Sequence, residues 1–248
     1  MNGLECHRRG GEPPREDDRL RAALSDVERR RLRDGLCELV LSCRRAKDAE
    51  KGEIVSKALG LKTLASTPVG TGKAGVRYRQ EAVEAFYDGF KAAGVDFAVF
   101  LPDSMLDGIE QLILERGGID AYQCSREDEG VAMAMGAFLV GKRPVALMEG
   151  SGIGLSALIL ARGIVQKTPT LLLAGHNSTL GERYDYHGAT RLVAEPVLRA
   201  LNIPYHVLFD PSEIKRVIVE AQATIEGQRI PVGILVPNHV IREMGEQR

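Results

Sequence analysis

The sequence predicts an α/β fold: a six-stranded, mostly parallel sheet with helices on both faces, preceded by an N-terminal extension. Three observations carry this. From about residue 80 onward, short apolar runs alternate regularly with segments of helical spacing. Six of those runs read as strands separated by helices, the pattern of a parallel sheet covered on both sides. The unusual polar residues fall just after the strands, at the edge where open parallel sheets collect ligands.

The first helix runs over 80–94, with apolar positions at 82, 83, 86, 90 and 93 and Gly94 to stop it. A strand over 96–101 follows, then a helix over 104–116, where Ser104 and Asp107 have the spacing of a capping box. Further strands are expected at 119–124, 144–149, 170–174, 205–209 and 231–236. After the second strand, Val131-Ala132-Met133-Ala134-Met135-Gly136 forms a helix whose small residues let neighbouring backbone come close. Pro196 predicts a kink or break in the helix near 189–201. The helix over 212–226 is the clearest. Asp210 can cap it, Pro211 opens it and Glu213 sits third, while Ile214, Val217, Ile218, Ala221 and Ile225 make its buried stripe and Gly227 can end it.

Ahead of this domain, residues 1–18 are rich in Gly, Pro and charge and are expected to be disordered. Residues 19–60 have helical spacing at Leu20, Leu24, Val27, Leu32, Leu36, Leu39 and Val40, with arginine clusters that leave the stripe narrow. Residues 62–79 read as a flexible linker, so the chain divides into an extension over 1–79 and a domain over 80–248. Gly72-Lys73 is not a phosphate-binding loop, because Thr67 and Ala74 stand where that motif needs Gly and Ser/Thr.

The 248 residues carry a net charge of −1, which gives no reason to bind nucleic acid or an acidic membrane. The charge is uneven: residues 1–80 hold 18 Lys/Arg against 12 Asp/Glu, so the remainder bears −7. No apolar run approaches the roughly 20 residues that span a bilayer, and the N-terminus lacks a secretory apolar stretch. Cys6, Cys37, Cys43 and Cys124 form no metal-binding pair, and a reducing cytoplasm is the expected location. No metal site is expected on this chain.

Four strand ends hold the candidate chemistry. The first is followed by Pro102-Asp103-Ser104, the second by Ser125-Arg126-Glu127-Asp128-Glu129-Gly130, and the third by Glu149-Gly150-Ser151-Gly152-Ile153-Gly154. The fourth opens a polar connection from Gly175 to Gly188 that contains His176, Arg183 and His187, far longer than the usual 4–6 residues. The acids after the second strand are explained either as a solvated first turn favoured by the helix dipole or as a carboxylate kept for acid–base work. Gly152-Ile153-Gly154 matches a relaxed dinucleotide pattern, but the next strand ends in Ala174-Gly175-His176, without the acid that would hold ribose. A structural turn, or a bare backbone surface against a flat ligand, are the other readings of these glycines.

Together, Ser125-Arg126-Glu127-Asp128-Glu129-Gly130 with Gly136, and Met148-Glu149-Gly150-Ser151-Gly152-Ile153-Gly154, resemble the pyrimidine-binding domain of thiamine-diphosphate enzymes. The likeness is greatest to the α subunit of sulfopyruvate decarboxylase and the matching half of phosphonopyruvate decarboxylase, and it extends over about 80–245. The resemblance implies a flavodoxin-like sheet, thiamine diphosphate as cofactor and a 2-oxo acid as substrate. Counting nine residues back from Gly136 makes Glu127 the catalytic glutamate, which protonates the pyrimidine ring nitrogen, and burial should raise its pKa. Asp103, Ser104, Gly150, Ser151, Gly152 and Gly154 are implied at the cofactor, and His176, Arg183 and His187 at the acidic group of the substrate, with Arg191 a further candidate. Gly150 and Leu155 stand where family members often have Asn. The Gly-Asp-Gly…Asn segment that holds magnesium and diphosphate is absent, since Tyr87-Asp88-Gly89 lies within a helix and lacks the rest. A separate diphosphate-binding subunit in a hetero-oligomer is therefore implied, with magnesium on that partner. A carboligase of acetolactate type and a non-catalytic flavodoxin-like interaction domain are the competing readings.

Overall fold

Six short runs, four of them rich in Val, Leu, Ile or Phe and each too short for a helix, pair into one parallel sheet. The computed structural model describes residues 77–243, apart from Ser178, Gly181 and Arg183. The helical extension expected over 19–60 and the linker up to residue 76 lie outside the described residues.

In chain order the elements are α1 (Gln80–Ala92), β1 (Phe97–Phe100), α2 (Asp107–Arg116), β2 (Asp120–Gln123), α3 (Glu127–Leu139) and β3 (Pro144–Glu149). Then come α4 (Ser151–Leu155), α5 (Ala157–Gln166), β4 (Leu171–His176), α6 (Gly188–Ala200), β5 (Tyr205–Val207), α7 (Ile214–Gln228), β6 (Val232–Pro237) and α8 (Asn238–Ile241). The strand order is β2-β1-β3-β4-β6-β5, every neighbour parallel. Pro144 enters the central strand β3 at its first residue, where a missing N–H is tolerated.

Alternate strand residues serve the two faces. Ala98, Phe100, Val145, Leu147, Leu171, Leu173, Ile234 and Val236 join the main core with Phe86 and Phe90 of α1, Ile109 and Ile113 of α2, and Ile214, Ile218 and Ile225 of α7. The residues between them, including Val99, Ala146, Met148 and Leu172, are buried on the side covered by α3 and α6. At the amino ends of the strands, the buried Lys142 ammonium pairs with Asp120 at 3.1 Å and Asp96 at 3.6 Å.

The chain enters and leaves the domain side by side. Tyr78 and Arg242 form an antiparallel bridge, flanked by Arg79 N–H to Ile241 O at 2.8 Å and Glu243 N–H to Arg77 O at 3.0 Å.

Three local expectations are corrected. The Ser104/Asp107 capping box does not form. Asp103 accepts the Met105 N–H instead, at 3.1 Å, and the Asp107 carboxylate takes the Gln111 amide at 3.0 Å. Helix α6 runs through Pro196 as a single element, so the break allowed for there does not occur, although the ring nitrogen has no hydrogen to donate to the helix ladder. Gly227 lies inside α7, which ends where Arg229 turns left-handed at φ 56°.

Candidate active site

Connections leaving β1 go outward to β2 and then return across it to β3, so the strand order reverses between β1 and β3. That is the crevice where a parallel sheet of this kind offers a binding site. Asp103 stands at its β1 side, Glu149 ends β3, and Glu127 opens α3 after β2.

The three acids at the start of α3 have different partners. Asp128 is held in a two-bond pair by Arg126, at 3.0 and 3.2 Å, and this hydrogen-bonded guanidinium lowers its pKa. Glu129 folds back to accept the Ser125 N–H at 2.9 Å. Glu127 receives no hydrogen bond or ion pair from the described residues. Its side chain instead lies along Gly152. A Cβ at that glycine would come within 2.5 Å of Glu127 Cγ and 2.8 Å of its Cβ, so only glycine leaves room for this glutamate. The burial expected of Glu127 is only partial in this chain, where the residue is half-buried.

The other glycines serve close packing. A Cβ on Gly150 would meet Gly175 O at 2.4 Å, and one on Gly154 would meet Val193 Cβ at 2.7 Å. Ser151, Gly152 and Gly154 lie in the short helix α4, which packs on α6, rather than in an open loop. Of the three glycines, Gly152 is the one in contact with Glu127.

Glu149 gathers the surrounding loops. Its Oε1 accepts from Thr190 Oγ1 at 2.5 Å and from Asn177 Nδ2 at 3.3 Å, and the Ser151 hydroxyl donates to Oε2. Asn177 and Thr190 are the residues that sequence reasoning missed. Neither belongs to a spaced motif, and only the juxtaposition of β3, β4 and α6 brings them to one carboxylate. Asp103 Oδ2 would lie 3.2 Å from a Cβ on Gly175. Burial, with the Glu149 charge adding to it against the Met105 N–H, pushes the Asp103 carboxyl up to about 6. Ser104 is exposed, and its carbonyl is taken by the Tyr78 hydroxyl at 2.7 Å and by Arg242.

The two histidines each have an acidic neighbour. His176, the last residue of β4, is buried with Nε2 3.4 Å from Glu195, which is itself held by Tyr205 at 2.8 Å and Arg199 at 2.6 Å. Burial lowers the His176 pKa despite that carboxylate, which favours the neutral ring. His187 Nδ1 lies 2.8 Å from Glu182, with the rings of Tyr184 and Tyr186 at 5.5 and 4.4 Å. Arg191 is exposed on α6, and Arg183 lies outside the described residues. Cys124 packs its sulfur against Gly130, and burial pushes its thiol up to about 11, as suits a core residue rather than a nucleophile.

Residues 80–193 match the thiamine pyrophosphate enzyme family's N-terminal TPP binding domain. The sulfopyruvate decarboxylase subunit alpha of Methanothermobacter thermautotrophicus is 32% identical over 141 residues, 56% of this chain and 86% of that protein. The chain belongs to that family. The subunit alpha of Methanocaldococcus jannaschii is 30% identical, covering 61% of this chain and 90% of its own length. That of Methanococcus maripaludis is 28% identical, with 62% and 93% covered. Among solved structures, benzoylformate decarboxylase from Polynucleobacter necessarius shares the fold, with a TM-score of 0.54 and 18% identity over 69% of this chain and 32% of that one. The 2-oxoglutarate:ferredoxin oxidoreductase of Magnetococcus marinus does so with a TM-score of 0.50 and 16% identity, covering 80% of this chain and 40% of that one. Among the described residues, no helix is long and apolar enough to cross a membrane, and no acidic, histidine or cysteine side chains cluster to hold a metal ion.

Proposed function

We propose that the chain is the α-type subunit of a split, thiamine-diphosphate-dependent 2-oxo acid decarboxylase that acts on a sulfonated or phosphonated pyruvate, and that it supplies the glutamate for the pyrimidine ring. The observation that carries this reading is the Glu127 carboxylate. It is uncommitted, while both neighbouring acids are bonded, and it rests on Gly152 at the reversal point of the sheet. The family match and the curated α subunits support the same assignment.

The residues fit one end of the cofactor. Glu127 would meet the pyrimidine ring nitrogen and hold a proton there, with Gly152 keeping the approach open. Asp103 and Glu149 line the crevice beside it, and Glu149 ties the loops after β3 and β4 to α6 so that the wall is fixed. Thiamine diphosphate, when bound, supplies a nucleophilic carbon and an electron sink for loss of carbon dioxide. Diphosphate and its magnesium are assigned to the partner subunit, because the sequence has no Gly-Asp-Gly…Asn segment of the kind that holds them in the family it resembles. His187, Arg183 and Arg191 remain the proposed contacts to the substrate's acidic group. His176 would serve there as a neutral hydrogen-bonding ring oriented by Glu195.

Glu127→Gln tests the assignment. In the assembled enzyme it should abolish turnover of sulfopyruvate and phosphonopyruvate and slow exchange of the cofactor's C2 proton. Cofactor affinity should stay within about tenfold, about 1.4 kcal/mol. Glu129→Gln should keep both activities. Wild-type exchange and turnover in Glu127→Gln, with Glu129→Gln inactive, would move the role to Glu129. If neither change matters, the thiamine reading fails.

A further inference from the structure

We infer that Tyr78 and Arg242 are positioning residues for the crevice: the bridge they form clasps the turn after β1 and so sets where Asp103 stands; this rests on the proposed reaction, which puts Asp103 beside the cofactor. Neither residue lies in the segment 80–193 that matches the family. Their part in the site comes from the fold and from no motif. The turn has a feature that burial does not explain. Ser104 is exposed, so water would satisfy its carbonyl, yet that oxygen takes two protein donors at once, the Tyr78 hydroxyl at 2.7 Å and the Arg242 guanidinium. The same guanidinium nitrogen also lies 3.4 Å from Ser104 Oγ.

Both donors are themselves fixed. The Tyr78 ring lies on the bare backbone of α2, where a Cβ on Gly108 would come within 3.1 Å of it. Burial and the charges of Asp107 and Asp103 push the phenol up to about 12 against the pull of Arg242, so it stays a neutral donor. The main chain of Arg242 is tied by its N–H to Asn238 O at 2.9 Å and by its carbonyl to Arg79 Nε at 3.2 Å. Asp103 has only bonds within the turn: Oδ2 accepts the Met105 N–H at 3.1 Å, and its carbonyl accepts from Leu106 and Asp107 at 3.1 and 2.9 Å. Those bonds shape the turn, and the bonds to Ser104 tie its main chain to residues far along the sequence. The clasp also sets charge. Glu149, Glu110 and Tyr78 neighbour Asp103, and Arg242 is the cation among these neighbours; it draws the carboxyl down while burial and Glu149 raise it. A carboxyl at a reacting centre needs placement to a fraction of an ångström, and a support on the adjoining peptide supplies it.

The test uses the full chain, alone and assembled with the subunit that carries the diphosphate-binding segment. In the lone chain, Arg242→Gln should raise the Asp103 carboxyl above about 6, read from its carboxyl carbon by NMR titration, and Arg242→Lys should largely restore it. Tyr78→Phe keeps the ring on Gly108 and is the second variant should Arg242→Gln not fold. It should speed amide exchange at Met105 and Asp107 by about threefold or more. In the assembled enzyme, Arg242→Gln should lower kcat for sulfopyruvate by about tenfold or more while KM stays within about threefold. On an Asp103→Asn background, Arg242→Gln and Tyr78→Phe should each change kcat by less than about twofold, because the carboxyl they act through is already gone. An unmoved Asp103 carboxyl in Arg242→Gln, unchanged exchange in Tyr78→Phe, losses that simply add to that of Asp103→Asn, or wild-type turnover in Asp103→Asn overturns the positioning role. Absence of turnover in the wild-type assembly removes the split-enzyme reading alone, and titration and exchange in the lone chain still decide the clasp.

Discussion

Asp103 is held at the end of β1 by the Met105 N–H and faces the charge of Glu149 across the crevice. Its carboxyl stands at about 6, raised chiefly by burial from an ordinary value of 3.8. The folded chain therefore binds this proton more tightly than the unfolded chain does. The resulting stabilisation is fully present below about pH 4 and is lost as the pH rises through 6. Asp103→Asn can still accept the Met105 bond without the buried charge. It should be more stable than wild type at pH 8 by roughly 1–3 kcal/mol, with the advantage gone near pH 4. Urea unfolding at the two pH values measures this, and an advantage that does not change with pH would contradict it. Glu110, fully buried with neither carboxyl oxygen hydrogen-bonded, is pushed well above the usual carboxylate range chiefly by burial and acts in the same direction. The comparison must therefore be made as a difference from wild type.

Helix α7 shows what local chemistry can specify. A 3-10 turn over Pro211–Glu213 leads into it, with Asp210 accepting the Ser212 N–H at 2.8 Å and Glu213 reaching back to Phe209 N–H at 2.6 Å. Asp210→Ala should cost about 1 kcal/mol, read from the urea midpoint, because one side of the capping box is lost. An unchanged midpoint would show that Glu213 alone secures the turn. This box, the six strands and the alternation of strand and helix were legible because each depends on residues close in sequence. The box proposed at Ser104 has the same spacing but fails, since Asp103 and Gln111 claim the groups it would use. The site divides in the same way. Glu127 is singled out by a spacing from Gly136 that the family resemblance supplies, and Gly152 by that resemblance together with its strand end. The contact between them, and the bonds from Asn177 and Thr190 to Glu149, depend on strands that are not neighbours in sequence.

At the scale of the molecule, the members of the main core among the described residues run from Ala82 to Ile241, with Tyr78 packed against it. Because the Gly/Pro-rich linker over 62–79 separates two different sequence patterns, removing residues 1–75 should leave a cooperative thermal transition, measured by circular dichroism or calorimetry. Loss of that transition would show that the removed residues complete the core. The cut must stop short of Arg77, whose carbonyl accepts the Glu243 N–H, and of Tyr78, whose hydroxyl grips Ser104 O.

The Tyr78–Arg242 bridge also bears on how such a domain can be built into larger proteins. Because its entrance and exit lie side by side, a peptide chain can run into the domain and out again at one point without stretching across the sheet. Joining it in one reading frame to other domains then requires only a linker, not a rearranged fold. In benzoylformate decarboxylase from Polynucleobacter necessarius, this fold matches 32% of a longer chain. An engineered single-chain fusion through either end should therefore preserve the Glu127 crevice.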